Sequence, residues 1–377
     1  MNNISPLRLV IILGLVSLFA DIVYEGARSI TGPFLLILGA SASLTGLITG
    51  LGEFIGYALR LFTGYLADKT NKHWSFIIIG YIITLFSVPL LAFANLNIAS
   101  LLIITERLGK AIRTPSRDSI IADASKTIGI GKGFGIHEAL DQVGAITGPL
   151  LIALIIYYND INHAFLLMFI PSLITLFVLL GSKAYQYRLS SNVSITDKIN
   201  SLFWVYIIFI GLTMIGFINF QLISYHIKLN SLFIDAHIPL LFALAMAIDA
   251  LSALLLGFMF DKKGFSILIL IPLLTLPILP LVLSNIQYLI ILGIIIWGFV
   301  MGLHESVGKA VIGRIIGSRM AFGYGILNAI YGISWFVGSL IMGLIYELSL
   351  GYLIIFSLII EIISIIIFIN IWRKLKN

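Results

Sequence analysis

The chain has 377 residues, of which 60% are hydrophobic and 11% charged. A soluble domain carries roughly 25% charged residues, so a water-soluble globular fold is excluded and the bilayer is the expected solvent. The net charge of +6 is spread over alternate polar segments and not gathered on one face, which excludes nucleic acid as the partner it serves.

Roughly 20 apolar residues make one bilayer crossing. Twelve crossings are predicted, at about 8–33, 43–64, 75–95, 98–115, 133–157, 164–183, 202–226, 237–259, 265–284, 287–312, 324–346 and 351–372. Their short connections leave no room for a soluble domain. The first is long, contains charges and lacks an Ala-x-Ala cleavage site, so it reads as a retained helix and not a signal peptide. In it Asp21 and Glu25 share a helical face, and Arg28 lies three residues beyond Glu25. Asp21 is about 13 residues into the span, roughly 20 Å at 1.5 Å per residue, near or past the midplane. It is a candidate proton carrier or counter-ion, against a static Glu25–Arg28 pair.

Span 2 holds Glu53 and Arg60, and its Gly46-x-x-x-Gly50 and Gly52-x-x-x-Gly56 pairs permit close helix approach. It ends in Gly64-Tyr-Leu-Ala-Asp68-Lys69-Thr-Asn71-Lys72. In span 4, Glu106 and Arg107 point about 100° apart and are expected to find partners elsewhere, Arg107 with Asp21, Glu138 or Asp141. Arg113-Thr-Pro115-Ser-Arg117-Asp118 reads as a charged turn after that span, either a cytoplasmic latch or a solvated anchor. At the start of span 5, His137, Glu138 and Asp141 suit a proton relay or an ion-paired gate; three ligands within five residues of one helix converge poorly on a metal, and none is expected. Residues 184–200 form the most polar stretch and read as a linker. It contains the sequon Asn192-Val-Ser194, which falls on the expected cytoplasmic side and is expected to be unused. Span 8 holds Asp249 and ends in Gly257-Phe-Met-Phe-Asp261-Lys262-Lys263-Gly264. Pro272, Pro277 and Pro280 are expected to bend span 9. Span 10 holds His304 and Glu305, and Trp297, Phe299, Tyr331 and Trp335 are candidate pocket aromatics or ordinary helix contacts.

Three landmarks recur in order. The Gly-x-x-x-Asp-Lys turn closes spans 2 and 8. Glu106-x-x-Gly109-Lys110-Ala111 returns as Glu305-x-x-Gly308-Lys309-Ala310, and Gly133-Phe-Gly135-Ile136-x-x-Ala139 as Gly323-Tyr-Gly325-Ile326-x-x-Ala329. The expected fold is therefore all-α and polytopic: two pseudo-symmetric six-helix bundles, 1–183 and 201–377, joined by the cytoplasmic linker 184–200. Parallel six-helix repeats are a transporter architecture. Basic residues collect in alternate loops, at Lys69 and Lys72, Arg113 to Lys132, Lys183 to Lys198, Lys262 and Lys263, Arg314 and Arg319, and Arg373 to Lys376, with Lys228 the exception. By the positive-inside rule both termini are cytoplasmic, and the expected location is the plasma membrane.

The Gly64–Lys72 segment resembles the loop signature of the major facilitator superfamily between helices 2 and 3, with Asn71 where the family usually has Gly. Its weaker copy falls at the equivalent loop of the second half. The resemblance implies twelve helices working by alternating access, with helices 1, 4, 7 and 10 lining the cavity. Arg107 resembles the helix 4 arginine often linked to proton coupling, and Gly144-x-x-x-Gly148-Pro149 looks like a fragment of the antiporter signature of drug exporters, which points to efflux. The expected function is a proton-coupled secondary transporter of a small organic solute, with a passive facilitator as the alternative. Candidate substrate or coupling residues are Asp21, Glu25, Arg28, Glu106, Arg107, Glu138, Asp141 and Glu305. Candidate gating residues are Gly64, Asp68, Lys69, Lys72, Gly257, Asp261 and Lys262. No phosphate-binding Gly-x-x-x-x-Gly-Lys-Ser/Thr loop and no His-Glu-x-x-His or Gly-x-Ser-x-Gly set occurs, so an intramembrane enzyme is the remote alternative. No cofactor beyond an ion gradient is expected, and the partners are solute and lipid for a monomer.

Overall fold

A computed structural model describes residues 5–183, 201–308, 311–312 and 320–376. The linker 184–200, Lys309, Ala310, Arg314 and Arg319 lie outside the described residues. In lipid every backbone polar group must be satisfied within the segment, so the apolar spans form helices. In the first half these are α1 (Pro6–Ile37), α2 (Ala42–Thr70), α3 (His73–Leu90), α4 (Leu96–Ala124), α5 (Ile130–Tyr158), α6 (Ile161–Leu167) and α7 (Phe169–Lys183). In the second they are α8 (Ser201–Gly216), α9 (Phe220–Leu229), α10 (His237–Lys263), α11 (Leu270–Thr275), α12 (Ile278–Val282), α13 (Gln287–Gly302), α14 (Met320–Leu348) and α15 (Leu350–Lys376). The starts are set by side-chain caps: Ser5, Ser41, Asn95, Asp160 and Asn219 each accept a backbone N–H of the first turn.

Ten stretches of the described chain are long and apolar enough to cross a membrane. One of them, His237–Val282, is 46 residues long and holds two crossings that divide at Gly264. α4 is as long as α2 but carries more charge, and it completes the twelve. The prolines break span 9 as expected, into a 3-10 segment, Gly264–Ile269, and the short α11 and α12. Two expectations fail. The segment Arg113–Asp118 is helix, not a turn, because Arg113 is buried over the rings of Tyr81 and Tyr24. Span 7 is interrupted between α8 and α9, where the freed carbonyl of Ile218 accepts the indole N–H of Trp297 at 2.8 Å.

The buried apolar residues form two clusters. One runs from Leu9 to Leu179; the other runs from Phe203 to Phe368 and takes in Ala42 and Ala145. Between the halves, α2 packs along α14, α5 along α10, and α1 along α9.

The two ends of this interface differ. At the end bearing Gly39 and Ser349 the halves are in close contact. The Ser43 N–H donates to Glu347 at 2.8 Å, Tyr225 Oη donates to the Ala40 carbonyl at 3.2 Å, and Asn219 Nδ2 donates to Thr49 at 3.2 Å and Ser339 at 2.9 Å. Gly46 and Gly50 lie against Ser339 and Phe336, and Gly343 against Ala42 and Ser43, with no room for a Cβ. At the basic end, Gly64, Asp68 and Thr114 face Tyr324, Gly325 and Asn328 across a cavity of ≈ 280 Å³. Gly131, Gly135 and Gly257 there have nothing within 4 Å of a Cβ position.

The turns of the repeat have a shared backbone cause. Asn71 caps α2 in the left-handed region at φ 53°, and Gly264 closes α10 at φ 61°. The left-handed geometry at Asn71 suits Gly and, less readily, Asn, while the ψ of −144° at Gly264 is open essentially to Gly alone. Asn71→Val is therefore expected to destabilise by about 1–2 kcal/mol and Asn71→Gly to be neutral or better; thermal melts of the two purified variants in detergent check this.

Candidate functional site

Charge inside a bilayer must be paired or face a cavity. The first half meets this with a hub on Glu53 of α2. Its Oε1 accepts Arg28 Nη2 of α1 at 2.9 Å and faces Arg107 Nη2 of α4 at 3.4 Å. Arg28 also meets Glu25 at 3.4 Å, and Arg107 Nε meets Glu106 Oε2 at 3.1 Å. All five side chains are buried. They fit because Gly52 and Gly56 place α2 directly against the Arg107 side chain. The hub touches the second half through Trp335, whose ring lies 5.6 Å from the Arg28 guanidinium carbon. Beside the hub is a cavity of ≈ 30 Å³ lined by Arg28, Glu53, Glu106, Arg107, Ser87 and Gln221, among others.

Toward the basic end, α4 carries Lys110, Arg113 and Arg117 at spacings of three and four, one face of a helix. Lys110 Nζ donates to Tyr24 Oη at 3.1 Å and lies 4.2 Å from the centre of that ring. Arg117 donates to Ser17 at 2.9 Å, pairs with Asp118 at 2.9 Å and approaches Asp141 to 3.9 Å. Ser17 also lies 3.0 Å from both Tyr81 Oη and His137 Nε2, and His137 Nδ1 is 3.4 Å from Asp141. Asp21 sits in the field of Lys110, Arg113 and Arg117, and its buried Oδ1 has no hydrogen-bond partner. Gly144 of α5 presses against the Asp21 Cβ. Among the described residues no three acidic or imidazole side chains converge as a metal site.

The family model of the Major Facilitator Superfamily matches residues 13–303. The chain belongs to the major facilitator superfamily. It is 36% identical over 381 residues to an uncharacterized protein of Mycobacterium tuberculosis, covering 96% of this chain and 92% of that one. It is 26% identical over 370 residues to an uncharacterized MFS-type transporter of Methanocaldococcus jannaschii, with 94% and 92% covered. Among solved structures, a variant of the nucleoside transporter NupG matches at TM-score 0.77 with 13% identity, covering 96% and 99% of the two chains. A bacterial homolog of the human lysosomal transporter Spinster, inward-facing and unoccupied, matches at TM-score 0.72 with 13% identity over 99% and 98%. These two likenesses establish the fold of a multi-pass membrane transporter.

Within that facilitator fold, the structure joins Glu25, Arg28, Glu106 and Arg107 into one hub and places Asp21 and Asp141 on the α4 stripe. Arg107 departs from its expected partners: it pairs with Glu53 and its own neighbour Glu106, not with Asp21, Glu138 or Asp141. The guanidinium reaches back along the helix, so the 100° between adjacent Cβ directions does not part the two groups. Glu138 is exposed and accepts from Gln142 Nε2 at 3.3 Å, outside the stripe. Glu305 lies in the second half, on a π-helical turn over Leu303–Val307, and is not brought to the hub. Gly64 and Asp68, read from sequence as turn residues, lie in the last turns of α2, which ends only at Asn71, and line the cavity at the basic end; Asp68 is 73% exposed and 3.8 Å from His73. Lys69 lies over the Tyr65 ring at 5.8 Å, while Asp261 and Lys262 are exposed at the same end. Glu53 and Lys110 have no site role in the sequence reading, and Arg113 and Arg117 stand there between a latch and a solvated anchor. The signal for them was the four-cation stripe from Arg107 to Arg117 at helical spacing.

Proposed function

We propose that the chain is a proton-coupled secondary transporter, carrying a small organic solute across the plasma membrane by alternating access. The basic-residue bias supports cytoplasmic termini. On that orientation the close contacts of Gly46 and Gly343 seal the outside and the cavity at Asp68 opens to the cytoplasm. The solute path runs between the halves, the arrangement expected of parallel six-helix repeats. The repeated turns, with Gly64, Asp68, Lys69 and Lys72 in one and Gly257, Asp261 and Lys262 in the other, act as gates that dock when the basic end closes. No catalytic role and no cofactor is assigned, and the working unit is a monomer. Export is favoured by the fragment Gly144-x-x-x-Gly148-Pro149.

The observation that carries the coupling is Asp21. Asp21 is a buried carboxylate without a hydrogen-bond partner, opposite three cations on α4 and against α5; these neighbours belong to its own half, so what a tilt of the halves changes is its access to water. Such a group takes up a proton in one state and releases it in the other. Reconstituted vesicles screened with a metabolite mixture, nucleosides included, identify a solute. Collapse of the pH gradient is then expected to abolish its accumulation. Asp21→Asn is expected to retain solute exchange at zero gradient and lose accumulation. Wild-type flux that ignores the pH gradient would sink the coupling and leave a passive facilitator.

A further inference from the structure

Span 12 buries a carboxyl group that the transport reading does not use. Glu361 stands halfway along the crossing 351–372, on α15. That helix shows Ile359, Ile362 and Ile366 to the lipid and turns Glu361 inward, where it is 0% exposed. Neither of its carboxyl oxygens has a hydrogen-bond partner among the described residues. It lies against α8 at the break of span 7. A Cβ on Gly216 would overlap Glu361 Oε1, and Ser357, one turn earlier on α15, donates to the Gly216 carbonyl at 2.8 Å.

No counter-charge is at hand. α15 packs on α8, on α14 and on the segment 264–282. α8 and that segment contain no charged residue, and the charge on α14, Glu347, accepts the Ser43 N–H at the sealed end. The titratable groups of these elements are tyrosines: Tyr206, which donates to the Gly308 carbonyl at 2.6 Å, and Tyr324, Tyr331 and Tyr346. On α15 itself, Tyr352 and the basic residues from Arg373 onward stand more than two turns away. None of these groups acts on Glu361. A carboxylate left alone in the bilayer interior carries the cost of an uncompensated charge, and such a group neutralises instead. A carboxylic acid then has one O–H to place and needs one acceptor. The break supplies acceptors, because the last carbonyls of α8 lose the N–H groups that a continuing helix would bring. Two carbonyls there are already satisfied by side chains of other helices, that of Gly216 by Ser357 and that of Ile218 by Trp297.

We propose that Glu361 is a proton-binding site of the second half, holding its proton as an un-ionised carboxylic acid whose O–H is donated to a carbonyl at the end of α8. With the proton in place, α15 and α8 stay pressed together at Gly216. Loss of the proton leaves a carboxylate with no partner, and the contact must open to admit water. The proton on Glu361 therefore governs the bend of span 7 at residues 217–219. The site goes beyond the transport reading, whose coupling group, Asp21, stands in the other half. Its test uses neither solute nor gradient, so its failure leaves the transport reading standing, and failed transport leaves the site standing.

The test is the thermal midpoint of the full chain in detergent, parent against Glu361→Gln, across a series from about pH 6 to about pH 9. Gln keeps the shape and has no proton to lose. The unfolded parent releases the Glu361 proton at about pH 4.3, while the folded parent keeps it. The parent is therefore penalised as pH rises, by up to ~tenfold in the unfolding equilibrium per pH unit, the limit for one proton. Groups elsewhere titrate in both proteins and cancel in the difference. Glu361→Gln is expected to melt near the parent at the acid end and above it by a margin that widens with pH. Should Glu361→Gln not fold, Glu361→Met, apolar and of similar length, goes through the same series with the same widening expected. A margin that stays constant or shrinks as pH rises, in whichever variant folds, would overturn the proposal.

Discussion

Glu53→Ala is expected to destabilise the protein by about 3–5 kcal/mol, the cost of leaving a buried ionic partner uncompensated. One carboxylate oxygen serves Arg28 at 2.9 Å and Arg107 at 3.4 Å. Its removal leaves two guanidiniums facing each other across the cavity, with Glu25 and Glu106 as remaining counter-charges. It also unties three helices at once, since Arg28, Glu53 and Arg107 stand on α1, α2 and α4. Glu53→Gln keeps the shape and one acceptor but loses the charge, so a smaller loss is expected. The decisive comparison is Glu53→Ala with Arg107→Met added. Removing Arg107 with Glu53 ends the facing of two guanidiniums but takes from Glu106 its partner at 3.1 Å, so part, and only part, of the lost stability should return. Melting of the variants in one detergent reads this directly. A Glu53→Ala protein as stable as the parent would show that the hub contributes nothing to the fold.

Much of the architecture was legible because the bilayer permits so few solutions. Spans of the right length, a turn repeated at Asp68 and Asp261, and basic residues in alternate loops follow from backbone satisfaction and charge cost alone. Asn71 fits the turn after α2 because Asn tolerates the left-handed backbone found there. The hub was not readable in the same way. A sequence shows that Glu53, Arg28 and Arg107 are intramembrane charges, but the angles at which α1, α2 and α4 cross decide which meet.

Two misreadings share a cause: charge was taken to mark an end. Arg113 and Arg117 looked like a solvated turn because lipid would reject them, yet α4 is wrapped by Tyr24, Tyr81, Ser17 and Asp141, which accept them inside the bundle. Glu106 and Arg107 were separated on the strength of Cβ directions, which set where a side chain starts and not where a long, flexible one ends. The break before Asn219 left its trace as Gly216 followed by a capping Asn. In an unbroken apolar run of more than 20 residues, that trace is weaker than the hydropathy around it.

Gly46→Val is expected to arrest transport by holding the sealed end open. A side chain at Gly46 would overlap the Ser339 carbonyl oxygen, and the neighbouring Gly50 leaves a Cβ only 3.0 Å from the Ser339 Cβ and 3.1 Å from the Phe336 Cα. Backbone atoms of two helices cannot yield as the tip of a side chain can. The strain of overpacking, roughly 1–3 kcal/mol, falls on the state in which α2 and α14 are pressed together. The state with that end open escapes it. The equilibrium then shifts by roughly 5- to 150-fold toward the open form, and a cycle that must visit both states slows. The chain has no cysteine, so Thr49→Cys reports on this end without a background. Thr49 is buried and bonded to Asn219 when the halves are closed. A membrane-impermeant thiol reagent should label it slowly in the parent and quickly when Gly46→Val is added. Asn328→Cys, facing the cavity at the basic end, should change in the opposite sense. Gly46→Ala, with a smaller overlap, should fall between. If Thr49→Cys labels at the same rate with and without Gly46→Val while transport continues, the close contact of α2 and α14 is packing alone and the halves do not part there.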